Sequence, residues 1–204
     1  EGLCRQGATV AREEADDLIR QWSTDGYHLQ HYWYFLSNMH LDLFTGEADR
    51  AVHRFSQEWS RLKASLLLLL PSIQADSVAW RARCNLIQTH DGKHPRAAGL
   101  LRRAARDAKK LARIRHPFTQ SIAQVIHAEI AHVRREDERA VALLRAAIPH
   151  MEEHHMALYA AAARLKLASW LGGEEGDALM RQGMPRFEEQ HIQDPQAMLR
   201  LLLP

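Results

Sequence analysis

The chain is short of the residues that interrupt or bridge secondary structure. It has 10 glycines, 7 prolines and 2 cysteines in 204 residues. The β-branched residues that favour strands (Thr, Val and Ile) are sparse, which counts against a sheet protein. Cys4 and Cys84 have no neighbours at metal-ligand spacing, which excludes a zinc ribbon. Two cysteines in this length fit reduced thiols of a cytoplasmic protein better than a disulfide framework, though one disulfide stays open. Long apolar runs are missing too. The longest, Leu66 to Leu70, stops at Pro71, well short of the roughly 20 residues that span a bilayer. The first residues are polar and charged, without the apolar core of a signal peptide. No charge of one sign dominates: 27 Lys and Arg stand against 25 Asp and Glu, so bulk charge does not make the chain a nucleic-acid binder. The start at Glu1 rather than Met marks an excised or processed chain.

Ala, Leu and Arg dominate instead, residues that lose little freedom in a helix. Apolar residues recur every three or four positions, as in Tyr32, Phe35, Leu36, Met39 and Leu43, the mark of one buried helical face. Thr9 is placed to cap a first helix. His116–Pro117 and Asp194–Pro195 divide later ones, and Gly46, Asp91–Gly92 and Gly172–Gly173 supply stops. The pattern predicts an all-α fold of about nine or ten helices in one domain, 1–204. A leading helix lies at about 9–26, helix pairs at 28–65, 66–115, 117–155 and 156–191, and a capping helix at 194–203.

The second helices of the pairs align at Arg50-Ala51-Val52, Arg96-Ala97-Ala98, Arg139-Ala140-Val141 and Asp177-Ala178-Leu179, with alanines 46, 43 and 38 residues apart. All three steps exceed the tetratricopeptide period of about 34 residues, and two fall within the roughly 40–47 of HEAT-type repeats. The expected architecture is a right-handed superhelical stack of antiparallel helix pairs, tetratricopeptide-like, with a concave surface.

The last third carries a further signal. Met156-Ala157-Leu158-Tyr159-Ala160-Ala161-Ala162-Ala163-Arg164, then Leu171-Gly172-Gly173-Glu174-Glu175-Gly176, then Ile192-Gln193-Asp194-Pro195 with Met198-Leu199, resembles the C-terminal region of large bacterial serine/threonine protein kinases and related signalling ATPases. The sequence departs from that pattern at Arg186-Phe187 and Gln190-His191, where the family usually has a Trp-Met pair and a Gln-Gly turn. The resemblance implies a tetratricopeptide-like regulatory array following an upstream kinase and ATPase module. It implies no catalytic residue in this chain. No glycine-rich phosphate loop, kinase-type lysine or His-Arg-Asp run occurs here, and no cofactor is expected. The implied partners are a protein or peptide, the upstream domains or another copy.

Four residue groups stand out as site candidates. The stretch Lys93 to Arg115 holds nine basic residues and one acid, Asp107. Arg102, Arg103, Arg106, Lys109 and Lys110 form its outer face. Such a face suits phosphate or an acidic partner, but no aromatics interleave to stack bases. The blander reading has its charges pairing with acids on neighbouring helices. Trp33 and Tyr34 leave the buried stripe of their helix and are the expected aromatic contacts to a partner. His150-Met151-Glu152-Glu153-His154 matches the inverted zinc-protease pattern, with His150 and His154 as ligands and Glu153 as base. Glu188 or Glu189 would have to supply a third ligand, and Pro149 should kink the helix there. A metal-dependent hydrolase at this pattern is the alternative function to an interaction module, and nucleic-acid binding through the basic face of residues 96–115 a weaker one. Cys84 with His90 makes a nucleophile pair only on paper.

Overall fold

The computed structural model describes residues 7–89 and 94–203. Among them are ten α-helices, one 3₁₀ turn and no strand. Helix α1 spans Ala8–Ile19, α2 Leu29–Phe44 and α3 Ala48–Ala64, followed by the 3₁₀ turn Leu66–Leu69. Then come α4 Pro71–Ile87, α5 Ala97–Arg113, α6 Pro117–Val133 and α7 Asp137–Glu153. Helix α8 spans Ala157–Leu171, α9 Gly173–Glu189 and α10 Pro195–Leu202. Sequential neighbours pack on one another as pairs: α2 with α3, α4 with α5, α6 with α7, α8 with α9. The helix-pair stack expected from the sequence is therefore present.

The predicted stripes face inward. Tyr32, Phe35, Leu36, Met39 and Leu43 are all buried, as are Leu100, Leu101, Ala104, Ala108 and Leu111 of α5. Several expectations need correcting. Thr9 lies inside α1, whose N-cap is Gly7. The fourth helix does not begin at Leu66. Ser65 caps a separate 3₁₀ turn by accepting from the Leu67 amide, and the helix proper starts with proline at its first position. Pro149 lies inside α7, which continues to Glu153. The repeat alignment holds at Ala51 and Ala140, both fully buried one turn into their helices. In α9 the equivalent buried position is Gly176 rather than Ala178. In α5 the equivalent position is Leu100 rather than Ala97. Asp91–Gly92, Cys4, His90 and Lys93 lie outside the described residues.

The turns repeat more faithfully than the helices. After α2, α6, α7 and α9 the chain takes one left-handed residue: Gly46, Arg135, His155 and His191. At each turn the amide of the following residue reaches back to a carbonyl in the last helical turn: Glu47 to Asp42, Glu136 to Ala131, Met156 to Met151 and Ile192 to Phe187. This double reverse bond satisfies the orphan carbonyls of the helix end. After α2, α6 and α7 it brings the next helix in after three residues.

Helix α10 carries the fold beyond an open stack. It packs against both α2 and α8, so the first and last pairs are joined through the C-terminal segment. Met198, Leu201, Leu202 and Leu203 are buried in one core with α2, α3 and α8. The Arg200 guanidinium donates to the Phe44 carbonyl at 3.1 Å and the Lys166 ammonium to the Leu203 carbonyl at 3.1 Å. Lys166 also meets the buried Glu129 of α6 at 2.8 Å.

A basic groove as candidate interaction site

The junction between the first two pairs is built differently from the rest. Three residues connect α5 to α6 and α7 to α8, but six, 65–70, connect α3 to α4. The inserted 3₁₀ turn sets α3 back, and it packs on α4 more sparsely than α5 does on α6 or α7 on α8. A cleft of about 510 Å³ results, walled by α3 and α5 and floored by α4. A second cleft of about 470 Å³ continues it, sharing Trp59, Arg81 and Lys110.

Each wall contributes side chains at helical spacing. Ser56, Trp59 and Lys63 come from α3, and Arg103, Arg106, Lys110 and Arg113 from α5. Residues three and four apart share a helix face, so both walls run lengthwise for about two turns. The floor holds an ordered ion pair. Arg81 donates from Nε and Nη2 to the two carboxylate oxygens of Asp107, at 2.8 and 2.5 Å. Its guanidinium also lies over the Trp59 ring, 4.6 Å from the centroid, and Trp59 stacks on Phe55 at 5.5 Å. Among the described residues Asp107 is the groove's one acid, it is buried, and both its oxygens are taken. The cations of the α5 wall have no such partner. Among the described residues no acid pairs with Arg103, Arg106, Lys110 or Arg113. The pairing with neighbouring acids that the sequence suggested as the bland reading is therefore not found for this wall.

No protein-family model matches the chain, and no curated protein or solved structure matches it either. Function has to be argued from the chain's own geometry.

The structure sorts the remaining candidates. Arg103, Arg106 and Lys110 face the groove, Lys109 lies outside it, and Arg102 lines only an adjoining small cleft, together with Arg96 and Arg103. Trp33 is 54% exposed and its ring sits 5.3 Å from that of Tyr32. Tyr34 is turned inward instead, its hydroxyl donating to Asp16 of α1 at 2.8 Å. His150 and His154 do come together, with ring centroids 4.6 Å apart. His150 Nδ1, however, is bonded to the Ser121 hydroxyl at 2.8 Å. No third His, Cys, Asp or Glu joins them, and among the described residues no such group of three converges anywhere. The two-histidine pattern therefore lacks the ligand set of a catalytic zinc site. Cys84 is buried beneath the groove, where desolvation pushes its thiol up to about 12, the wrong direction for a nucleophile.

A second polar cluster lies between α2 and α4. The Tyr32 hydroxyl donates to Asp76 at 2.6 Å, and burial raises the Asp76 carboxyl above its ordinary range. His40 sits 4.9 Å from the Trp80 ring, and Arg83 stacks over the same ring at 4.7 Å. Burial, reinforced by the Arg83 charge, lowers His40 to about 4.

Sequence reasoning found the α5 wall but missed Trp59 and Arg81. No local pattern connects them to α5, because they lie on two other helices. Trp59 of α3 joins the basic face, but its ring is already occupied by Phe55 and Arg81.

Proposed function

We propose that the chain is a helical-repeat protein-interaction module that receives a partner segment in the groove between α3 and α5, and that it acts as a regulatory scaffold. The observation that carries this reading is the α5 wall. Three aligned cations, Arg103, Arg106 and Lys110, face a formed cleft whose single acid is already neutralised by Arg81. Uncompensated charge beside apolar surface is a recognition feature, since it steers and selects partners of opposite sign.

The placement in a cytoplasmic bacterial signalling kinase, with the upstream kinase or ATPase domains as partner, rests on the resemblance of residues 156–199 alone. Membrane insertion has no support, since no helix among the described residues is long and apolar enough to cross a bilayer.

The test compares two charge reversals on one helix. Arg103→Glu/Arg106→Glu/Lys110→Glu alters the groove, while Arg102→Glu/Lys109→Glu changes charges of the same helix away from it. Binding of the purified upstream domains, followed by titration calorimetry, should be lost in the first and kept in the second. Equal loss in both, or in neither, places the binding surface elsewhere.

A further inference from the structure

We infer that the segment accepted by the groove is an acidic amphipathic α-helix of a partner protein. This rests on the reading of the groove as the interaction surface and adds the conformation and charge of what fills it.

Conformation follows from the walls. All three sides are helices, whose backbone N–H and C=O groups are bonded within themselves. An extended peptide would bring a row of main-chain donors and acceptors into the cleft and find no backbone edge to pair with, and unpaired polar groups there are costly. A helix arrives with its main chain already satisfied and presents side chains alone, the mode of helix-in-groove recognition. The walls also match it in period, with Ser56, Trp59 and Lys63 facing Arg103, Arg106 and Lys110.

Charge follows from the ledger of the lining. Arg81 and Asp107 cancel, leaving Arg103, Arg106, Lys110, Lys63 and Arg113 around an apolar strip that includes Trp59, Val78 and Ile114. A helix with one apolar stripe flanked by Asp and Glu complements both features. A single-stranded nucleic acid would satisfy the charge but not the floor. The one groove indole already stacks on Phe55 and carries Arg81 over its ring, so it offers no free platform for a base.

The experiment is a displayed library of peptides of about 14 residues, near the length at which isolated helices become marginally stable. Their apolar stripe is fixed and their flanks vary among Glu, Lys and Gln. Selection on the whole chain should enrich Glu flanks. Binders measured by fluorescence anisotropy should weaken with rising salt. They should also lose at least about tenfold in affinity on a central proline, which breaks the helix, and on Arg103→Glu/Arg106→Glu/Lys110→Glu. That triple variant changes only exposed residues, and circular dichroism and the melting temperature verify that it folds. Enrichment of Lys or Gln flanks overturns the acidic assignment. Tolerance of the central proline overturns the helical one, while the groove itself stands if the triple variant still weakens binding. Unchanged binding by the triple variant, or no enriched peptide at all, overturns both this inference and the groove reading. Tighter binding of a mixed-sequence single-stranded oligonucleotide than of any selected peptide assigns the groove to nucleic acid instead.

Discussion

His40 shows how one buried side chain sets a pH limit on the fold. Its Nε2 is buried without a partner and its ring is held beside Trp80, under the field of Arg83. The folded protein therefore resists protonating it until about pH 4, whereas the unfolded chain takes up the proton near the ordinary histidine value of 6.5. Between those values the unfolded state binds more protons, so stability falls as pH falls. The loss at His40 amounts to at most about 3 kcal/mol, from 1.36 kcal/mol per pK unit. Urea denaturation of wild type and His40→Gln from pH 7 to 4 should show a stability difference that narrows across this window, and a constant difference would refute the assignment. Glycine makes a second residue-scale argument. A Cβ at Gly176 would stand 2.9 Å from the Ala168 carbonyl oxygen of α8. Gly176→Ala should therefore destabilise by about 1–3 kcal/mol through overpacking, despite the roughly 1 kcal/mol that alanine gains in helix propensity. Arg135 is the converse case, a side chain at φ 63°, where Arg135→Gly should stabilise by about 0.5–1 kcal/mol. Thermal melts of the two variants should move in opposite directions.

Helix α1 is the element held least by apolar contact, since none of its residues is buried. It is tied on by polar groups. Arg12 donates to Asn38 and to Asp42, each at 2.8 Å, and Tyr34 reaches Asp16. Asp42 is fully buried and also receives Arg54 at 2.8 Å, with Arg50 at 3.5 Å. One carboxylate thus joins α1, α2 and α3. Removing it leaves the Arg12 and Arg54 guanidinium groups without their acid, at a cost on the order of 3 kcal/mol. Asp42→Ala should release α1 before anything else. Hydrogen exchange should show protection lost across residues 8–19 while α6 to α8 keep theirs. Retained protection in α1 would mean that other contacts hold it. The helices from α2 onward were legible from apolar spacing because each buries part of its surface. The turns were harder to read, because three of the four left-handed positions are Arg135, His155 and His191 rather than glycine. Packing imposes that conformation at residues that do not favour it.

At the scale of the molecule, α10 converts a row of helix pairs into a joined structure. In an open array each pair contacts only its neighbours, and stability is nearly a sum of local terms. Here a short helix links α2 to α8, so the ends of the row unfold together. A chain truncated after Gln193 should melt earlier and show a smaller or split urea transition, with a lower m-value than the whole chain. A single transition of unchanged slope would show that α10 merely covers the surface. The same long-range packing accounts for what the sequence could not disclose about the groove. Arg103, Arg106 and Lys110 were visible as a basic face, but their opening toward Trp59 and Arg81 depends on the six-residue connection that sets α3 apart.

The one-dimensional pattern by itself determined the helical class, the burial stripes and the pairing of successive helices. Those depend on residues three to seven apart, whose side chains meet on one helix whatever the rest of the chain does. Tertiary structure alone decided which basic residues share a cleft, that Asp107 is consumed by Arg81, that His150 bonds Ser121, and that the last helix returns to the first pair. The three bonds behind them, Arg81 to Asp107, His150 to Ser121 and Arg200 to Phe44, join residues 26 or more positions apart. Such contacts form only when the helices have docked, and no local spacing encodes them.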